Sequence, residues 1–141
     1  TKEAFPLLRY RTRDICVLSR KKCSCGRTLI KMAKPMGRSD DMFKIHGVNM
    51  FPSQVEEILG SIDGVSSEYN INLAHDDEKN KDVILVTAEA EGRVNFDKTA
   101  VTIKEAFKSR IGVTPKITVV PVGTLPRSEK KAKRVFDHRQ Q

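Results

Sequence analysis

Two apolar runs joined by a charged turn constrain this chain more than any other feature. YNINLA (69–74) reads as a strand, HDDEKNK (75–81) as a tight polar turn, and DVILVTAEA (82–90) as the hairpin partner. Helical periodicity stands on both sides of the pair. Before it, Pro52 suits the first turn of a helix whose Val55, Ile58 and Leu59 share one face, with Gly60 and Gly64 punctuating its end. After it, Asn95 or Asp97 can cap a second helix in which Phe96, Ala100, Ile103 and Phe107 repeat at helical spacing, and Gly112 stops it. MFKIHGV (42–48) alternates apolar and polar as a half-buried strand does, and KITVVPV (116–122) supplies a last strand. The expected order is β-α-β-β-α-β, an α+β ferredoxin-like sandwich. A basic tail, LPRSEKKAKRVFDHR (125–139), is expected to follow outside it.

The first 36 residues are irregular. RYRTRD is too polar for a buried strand, ICVLS (15–19) suits a short one, and KKCSCGRT forms a turn. A boundary near residues 37–41 follows, with 1–36 the end of a larger domain and its linker, and 37–141 a small domain. The total of 141 residues fits one domain plus a piece of another. No apolar run nears the ~20 residues that span a bilayer, and no signal peptide opens the chain. The expectation is a soluble, cytoplasmic protein. Cys16, Cys23 and Cys25 are too few and too close for a disulfide framework.

Charge is segregated along the chain. Residues 1–47 hold 12 Lys and Arg against 4 Asp and Glu; residues 48–97 hold 3 against 11; residues 98–141 hold 11 against 3. A uniformly basic chain would point to nucleic acid. Basic ends around an acidic middle suggest that both ends serve one anionic ligand.

Three charged stretches are candidates for chemistry. In GRSDDMF (37–43), Arg38 can reach a phosphate or ribose while an aspartate marks a hinge; the plain alternative is a solvated turn with Arg38 paired to Asp41. In YRTRD (10–14), Asp14 can accept two hydrogen bonds from a vicinal diol, or simply pair with Arg13. The tail holds six Lys and Arg within 127–139, and one lysine over a phosphoryl group would stabilise a transition state. CSCG lacks the spacing of a CxxC zinc knuckle, so a tight turn is favoured over half of a metal site. His46 and His75 belong to no nucleophile pattern, and no Ser-His-Asp arrangement, P-loop or GxGxxG is present.

Together, LLRYRTRDI, CSCGRT, GRSDDMFKIHGVNMFPSQVEEIL and LPRSEKKAKR resemble, in order, the carboxyl-terminal part of the phenylacetate–CoA ligases. These are a branch of the adenylate-forming acyl-CoA synthetases. The resemblance runs from residue 5 to about residue 139. It implies a two-step reaction in which an arylacetate, ATP and Mg²⁺ give an acyl-adenylate, and CoA then gives the thioester after the small domain rotates. By resemblance, Asp14 and Arg38 bind the nucleotide, Asp40 is the hinge, Lys44 and Gly47 line the CoA path, and Lys131 stabilises charge at the α-phosphate. The family pattern has glycine where this chain has Lys130, so the lysine role is open between Lys131 and Lys130. The acid site would lie in a large amino-terminal domain, leaving this chain inactive alone.

Other readings remain. A deazaflavin-cofactor adenylating synthetase shares the terminal motifs. An RRM-like RNA-binding module shares the expected fold, yet DVILVTAEA has no aromatic residue and MFKIHGV only Phe43 on which a base could stack. No nucleic-acid or membrane partner is expected. A small-molecule regulatory module would leave YRTRD and LPRSEKKAKR without a purpose.

Overall fold

The computed structural model describes residues 9–127 and 133–139. The chain divides into two compact units, Thr1–Asp41 and Met42–Gln141.

The first unit contains four two-residue strands: β1 (Asp14–Ile15), β2 (Leu18–Ser19), β3 (Lys31–Met32) and β4 (Gly37–Arg38). β1 pairs antiparallel with β4, and β2 with β3. The expected strand over 15–19 is thus broken in two. CSCGRT turns as its glycine requires: Gly26 has φ +82° and its N–H donates to the Cys23 carbonyl at 3.0 Å. Val17, Leu18, Leu29, Ile30 and Met32 are exposed, and among the described residues the buried core lies wholly outside this unit.

The second unit runs β5 (Phe43–Ile45), β6 (Val48–Met50), α1 (Pro52–Gly60), β7 (Val65–Asp76), β8 (Lys81–Ala90), α2 (Phe96–Arg110), β9 (Lys116–Pro121) and β10 (Val135–Asp137). α1 starts with Pro52, and the Gln54 side chain accepts from the Phe51 N–H at 2.9 Å, satisfying a donor ahead of the helix. The Asn95 side chain caps α2 by accepting from the Lys98 N–H at 2.9 Å. Gly112, at φ +81°, returns its N–H to the Phe107 and Lys108 carbonyls and ends it.

β7 and β8 form the expected hairpin, with Tyr69 opposite Ala88 and Leu73 opposite Ile84. Tyr69, Ile71 and Leu73 alternate into the core with Ile84, Val86 and Ala88 of the partner strand. Ile103 and Phe107 of α2 join Val55, Ile58 and Leu59 of α1 in the same core. The fold is α+β. Among the described residues, no helix is long and apolar enough to cross a membrane.

The ferredoxin-like strand order is corrected in two places. The sheet order is β10-β7-β8-β9, with β8–β9 and β10–β7 parallel, and residues 42–48 contribute no strand to it. They fold back instead as a hairpin in which Ile45 faces Val48. His46 and Gly47 between them both have positive φ, +47° and +82°. Positive φ at both central residues is the signature of a type I′ turn, whose twist matches that of its strands. The second correction concerns the tail. It is not outside the fold, because Val135–Asp137 pairs with Ile71–Leu73 as an edge strand.

Candidate functional site

In the first unit the sequence candidates converge on one ladder. Asp14 of β1 lies opposite Arg38 of β4. The Arg38 guanidinium grips Asp40 with two parallel bonds, Nε to Oδ1 at 2.9 Å and Nη2 to Oδ2 at 2.8 Å. Arg13 approaches the same carboxylate at 3.8 Å. The pairings Arg38–Asp41 and Arg13–Asp14 considered from sequence are therefore replaced by two arginines on Asp40. Asp41 instead donates its backbone N–H to the Arg38 carbonyl at 3.2 Å, and Ser39 donates its own to the Arg13 carbonyl at 2.8 Å. The Arg38 hydrogen bonds hold the Asp40 carboxyl down at about 2, and the Arg38 pKa is raised in return. A bidentate pair uses two of the five guanidinium donors, so three remain for an anion.

In the second unit, Lys44 and Gly47 occupy the β5–β6 hairpin. Lys44 is exposed, and its backbone carbonyl accepts from Arg139 Nη1 at 2.7 Å. A methyl group built at Gly47 would meet no atom within 4 Å, so open space adjoins the backbone there. His46 holds the turn to the sheet: its Nε2 stands 2.7 Å from the Asp82 carbonyl, which can only accept, so this nitrogen carries the proton. The Asp82 carboxylate takes His75 Nδ1 at 3.0 Å and Arg139 Nη1 at 3.0 Å. The His75 pKa is raised, first by its bond to Asp82.

Lys131 and its neighbour Lys130 lie outside the described residues. On either side of them is a charge cluster that the sequence reading missed. Glu89 is fully buried, and accepts from the Leu125 N–H at 2.7 Å and from Arg127 Nη2 at 2.8 Å. Burial alone would raise its pKa, yet the Leu125 and Gly123 amides and Arg127 bring it below the ordinary value. Glu68 accepts two bonds from Arg134, at 2.7 and 3.1 Å, and lies 3.4 Å from Arg127. Arg134 also covers the Tyr69 ring at 4.9 Å. Parity gave no warning of this cluster. Glu89 sits out of phase with Ile84, Val86 and Ala88, on the sheet face turned from the helices, where an exposed glutamate is the ordinary expectation.

The two thiols of CSCG stand 3.0 Å apart, Cys25 Sγ to Cys23 Sγ, and the bond from Cys25 lowers the Cys23 pKa. Among the described residues no group of three or more His, Cys, Asp or Glu is placed to hold a metal ion. Phe43, the one aromatic in the MFKIHGV and DVILVTAEA segments, is buried in the core.

Comparison with known proteins identifies the family of the chain. The model of the AMP-binding enzyme C-terminal domain matches residues 47–139. The phenylacetate-coenzyme A ligase of Thermus thermophilus is 37% identical over 99% of this chain, which spans 35% of that ligase's length. The crystal structure of a domain of phenylacetate-coenzyme A ligase from Bacteroides vulgatus is 34% identical, with a TM-score of 0.63 over 72% of this chain and 95% of that one. A 2-hydroxyisobutyryl-CoA ligase in the postadenylation state superposes with a TM-score of 0.77 at 26% identity, over 91% of this chain and 28% of that one. The same ligase has been solved with 2-HIB-AMP and CoA in a thioesterification state, where the TM-score is 0.64. With the family model covering β6, both helices, the sheet and the returning tail, this chain belongs to the AMP-binding enzyme C-terminal domain family.

Proposed function

We propose that this chain is the carboxyl-terminal part of an ATP-dependent arylacetate–CoA ligase, with phenylacetate or a close analogue as the acid. The observation that carries this reading is Asp14 opposite Arg38 on the β1–β4 ladder, with Arg38 holding Asp40 of the following turn. It sets the Asp14 carboxylate, suited to a ribose diol, beside the Arg38 guanidinium, suited to phosphate, and Arg38 lies three residues before the end of the first unit at Asp41. The phenylacetate-coenzyme A ligase names among its relatives support the choice of acid.

In the first step, a carboxylate oxygen of the acid attacks the α-phosphorus of ATP, and the bond to the β-phosphate oxygen breaks, releasing pyrophosphate. Asp14 accepts from the ribose hydroxyls, Arg38 contacts the nucleotide, and Lys131 stabilises the charge that builds at the α-phosphate. In the second, the CoA sulfur attacks the acyl carbon and AMP leaves. Asp40 is the hinge between the two arrangements, and the Lys44–Gly47 hairpin then borders the pantetheine arm. A chain without a Cβ at Gly47 lets a thin substrate run close to the backbone. The two named states of 2-hydroxyisobutyryl-CoA ligase support such an alternation. Mg²⁺ would accompany ATP, but the described residues of this chain offer no donor set for it.

The acid pocket and most of the ATP site fall to a large amino-terminal domain, since this chain spans about a third of its relatives' length. The ligase works in the cytoplasm, where ATP and CoA are supplied. The test is phenylacetate-dependent ATP–pyrophosphate exchange and CoA-dependent AMP release by the full-length enzyme, beside the 141-residue chain alone. Both activities are expected of the former and neither of the latter. Absence of acid-dependent exchange in the full-length protein, or turnover by the chain alone at an ordinary enzymatic rate of about 1 s⁻¹ or more, would overturn the reading.

A further inference from the structure

The β5–β6 hairpin carries at its tip a histidine that turn chemistry alone would not choose. Three residue pairs join its strands, Phe43 with Met50, Lys44 with Asn49 and Ile45 with Val48. A hairpin that short is marginal without outside support. Phe43, Ile45 and Met50 supply support by burying one face in the core, but His46 and Gly47 stand exposed beyond it. A type I′ turn needs positive φ at both central residues, and Asn-Gly meets that need most readily. His46, at φ +47°, takes the asparagine's place. Its ring supplies a reach that the turn itself does not require: Nε2 donates to the Asp82 carbonyl at 2.7 Å, 36 residues along the chain. An asparagine amide ends nearer the backbone and does not span this gap.

Asp82 also receives one limb of the hairpin. Arg139 Nη1 donates to the Lys44 carbonyl at 2.7 Å and to Asp82 Oδ2 at 3.0 Å. This base has little freedom of its own. Asp82 pairs with His75 in the β7–β8 ladder, and His75 Nδ1 lies 3.0 Å from its Oδ1. Asp137 of β10 grips the Arg139 guanidinium, Nε to Oδ1 at 2.8 Å and Nη2 to Oδ2 at 2.6 Å. The hairpin thus reaches one residue at two points, the Lys44 backbone through Arg139 and the turn through His46. Reversing the chain requires neither tie, because the turn closes on its own backbone. What the ties fix is the direction in which the exposed tip projects. We propose that His46 is a positioning residue for the thioester-forming half-reaction, holding the Gly47 backbone in place along the path of the pantetheine arm. Asp82, through its carbonyl and through Arg139, is the base against which it does so. The inference rests on the placement of the hairpin beside the pantetheine arm made above.

The experiment measures both half-reactions of the full-length enzyme with His46→Asn and His46→Gln, beside the unaltered enzyme and Gly47→Ala. His46→Asn gives the turn its preferred dipeptide and removes only the reach of the ring, so the melting temperature should be kept or raised. In thioester formation from supplied acyl-adenylate, kcat/KM for CoA should fall some 10- to 100-fold, since about 1 Å of misplacement costs up to about that much. Pyrophosphate exchange should keep its rate and its KM for ATP. His46→Gln restores an N–H donor at comparable length and should recover part of the loss; an equal loss in both variants would overturn the role given to this bond. Normal thioester formation by His46→Asn overturns the inference. So does a joint fall of melting temperature and both half-reactions, or a His46→Asn chain that fails to fold, because the tie would then be structural only. If the unaltered enzyme shows no CoA-dependent AMP release, the proposed function itself fails. If it does release AMP and Gly47→Ala leaves the KM for CoA unchanged, the placement of the hairpin fails and takes the inference with it.

Discussion

Arg139 and Lys44, 95 residues apart, meet through a 2.7 Å hydrogen bond from the arginine Nη1 to the lysine carbonyl. The same guanidinium holds Asp82 at 3.0 Å and Asp137 at 2.6 Å, and its side chain is only 21% exposed. One residue thus ties the β5–β6 hairpin, the start of β8 and the end of β10. Arg139→Ala leaves a carbonyl and two carboxylates without this donor. The expected loss is about 1.5–3 kcal/mol, the usual worth of hydrogen bonds to a charged group, read from the urea midpoint of the purified chain. A change below about 0.5 kcal/mol would place the contact among ordinary surface pairs.

Acid should weaken the second unit in a defined window. Glu68, Glu89 and Asp137 all have lowered pKa values, Asp137 falling to about 2 through its bonds from Arg139. A group whose folded pKa is depressed contributes stability above its unfolded pKa, and that contribution is lost as pH falls through the folded value. The decline should therefore start near the ordinary carboxylate values, about 4, and continue toward about 2. His75 runs the other way: its raised pKa gives a contribution present below the ordinary value and lost as pH rises through the folded one. Melting temperature against pH checks both. Glu89→Gln should flatten the acid limb, and an unchanged slope would show that Glu89 is not among its causes.

What the sequence made legible were the elements whose side chains face one way. Val55, Ile58 and Leu59, or Ile71 and Leu73, advertise their burial by spacing, because a helix or strand with one apolar stripe has one way to lie on a core. The β5–β6 hairpin was hidden because MFKIHGV alternates without a break. Only the positive φ of His46 beside Gly47 folds it back, and a histidine gives little warning of that conformation. β10 was hidden by its charged surroundings, as three residues of strand carry almost no period. Asp14 and Arg38 stood out as candidates by residue type, and Asp40 by resemblance, while Glu68 and Glu89 answer to partners some 36 to 66 residues away that no local pattern names.

Gly47 offers a separate check on the CoA path. At φ +82° an L-residue is strained, whereas the space around a new Cβ is open. Gly47→Ala should cost about 1–2 kcal/mol of stability through the backbone alone. If the hairpin borders the pantetheine arm, the KM for CoA should also rise, with pyrophosphate exchange unchanged. An unaltered KM beside the stability loss would make Gly47 a turn residue only.

Asp40 can be tested as a hinge apart from its charge. Proline at 40 fixes φ, and also removes the carboxylate that Arg38 grips. Asp40→Ala removes only the second. In the full-length enzyme, Asp40→Pro should depress one half-reaction far more than the other, while Asp40→Ala affects both mildly. Equal losses in both half-reactions for the proline variant would take away the hinge assignment.

The two lysines separate most sharply. Adenylation concentrates negative charge at the α-phosphate, and a lysine aimed there acts only in that step. A lysine is a compact point charge on a flexible stem, so alanine at the right position removes the interaction entirely. Losing one preorganised electrostatic contact typically costs about 10²–10³ in rate. Lys131→Ala should therefore lower pyrophosphate exchange by at least about 10² while thioester formation from supplied acyl-adenylate survives. Lys130→Ala should be nearly silent, and a gain from Lys130→Gly would indicate backbone geometry that suits glycine at that position. Measuring both half-reactions for all three variants decides between neighbours: a dead Lys130→Ala beside an active Lys131→Ala moves the role back by one residue.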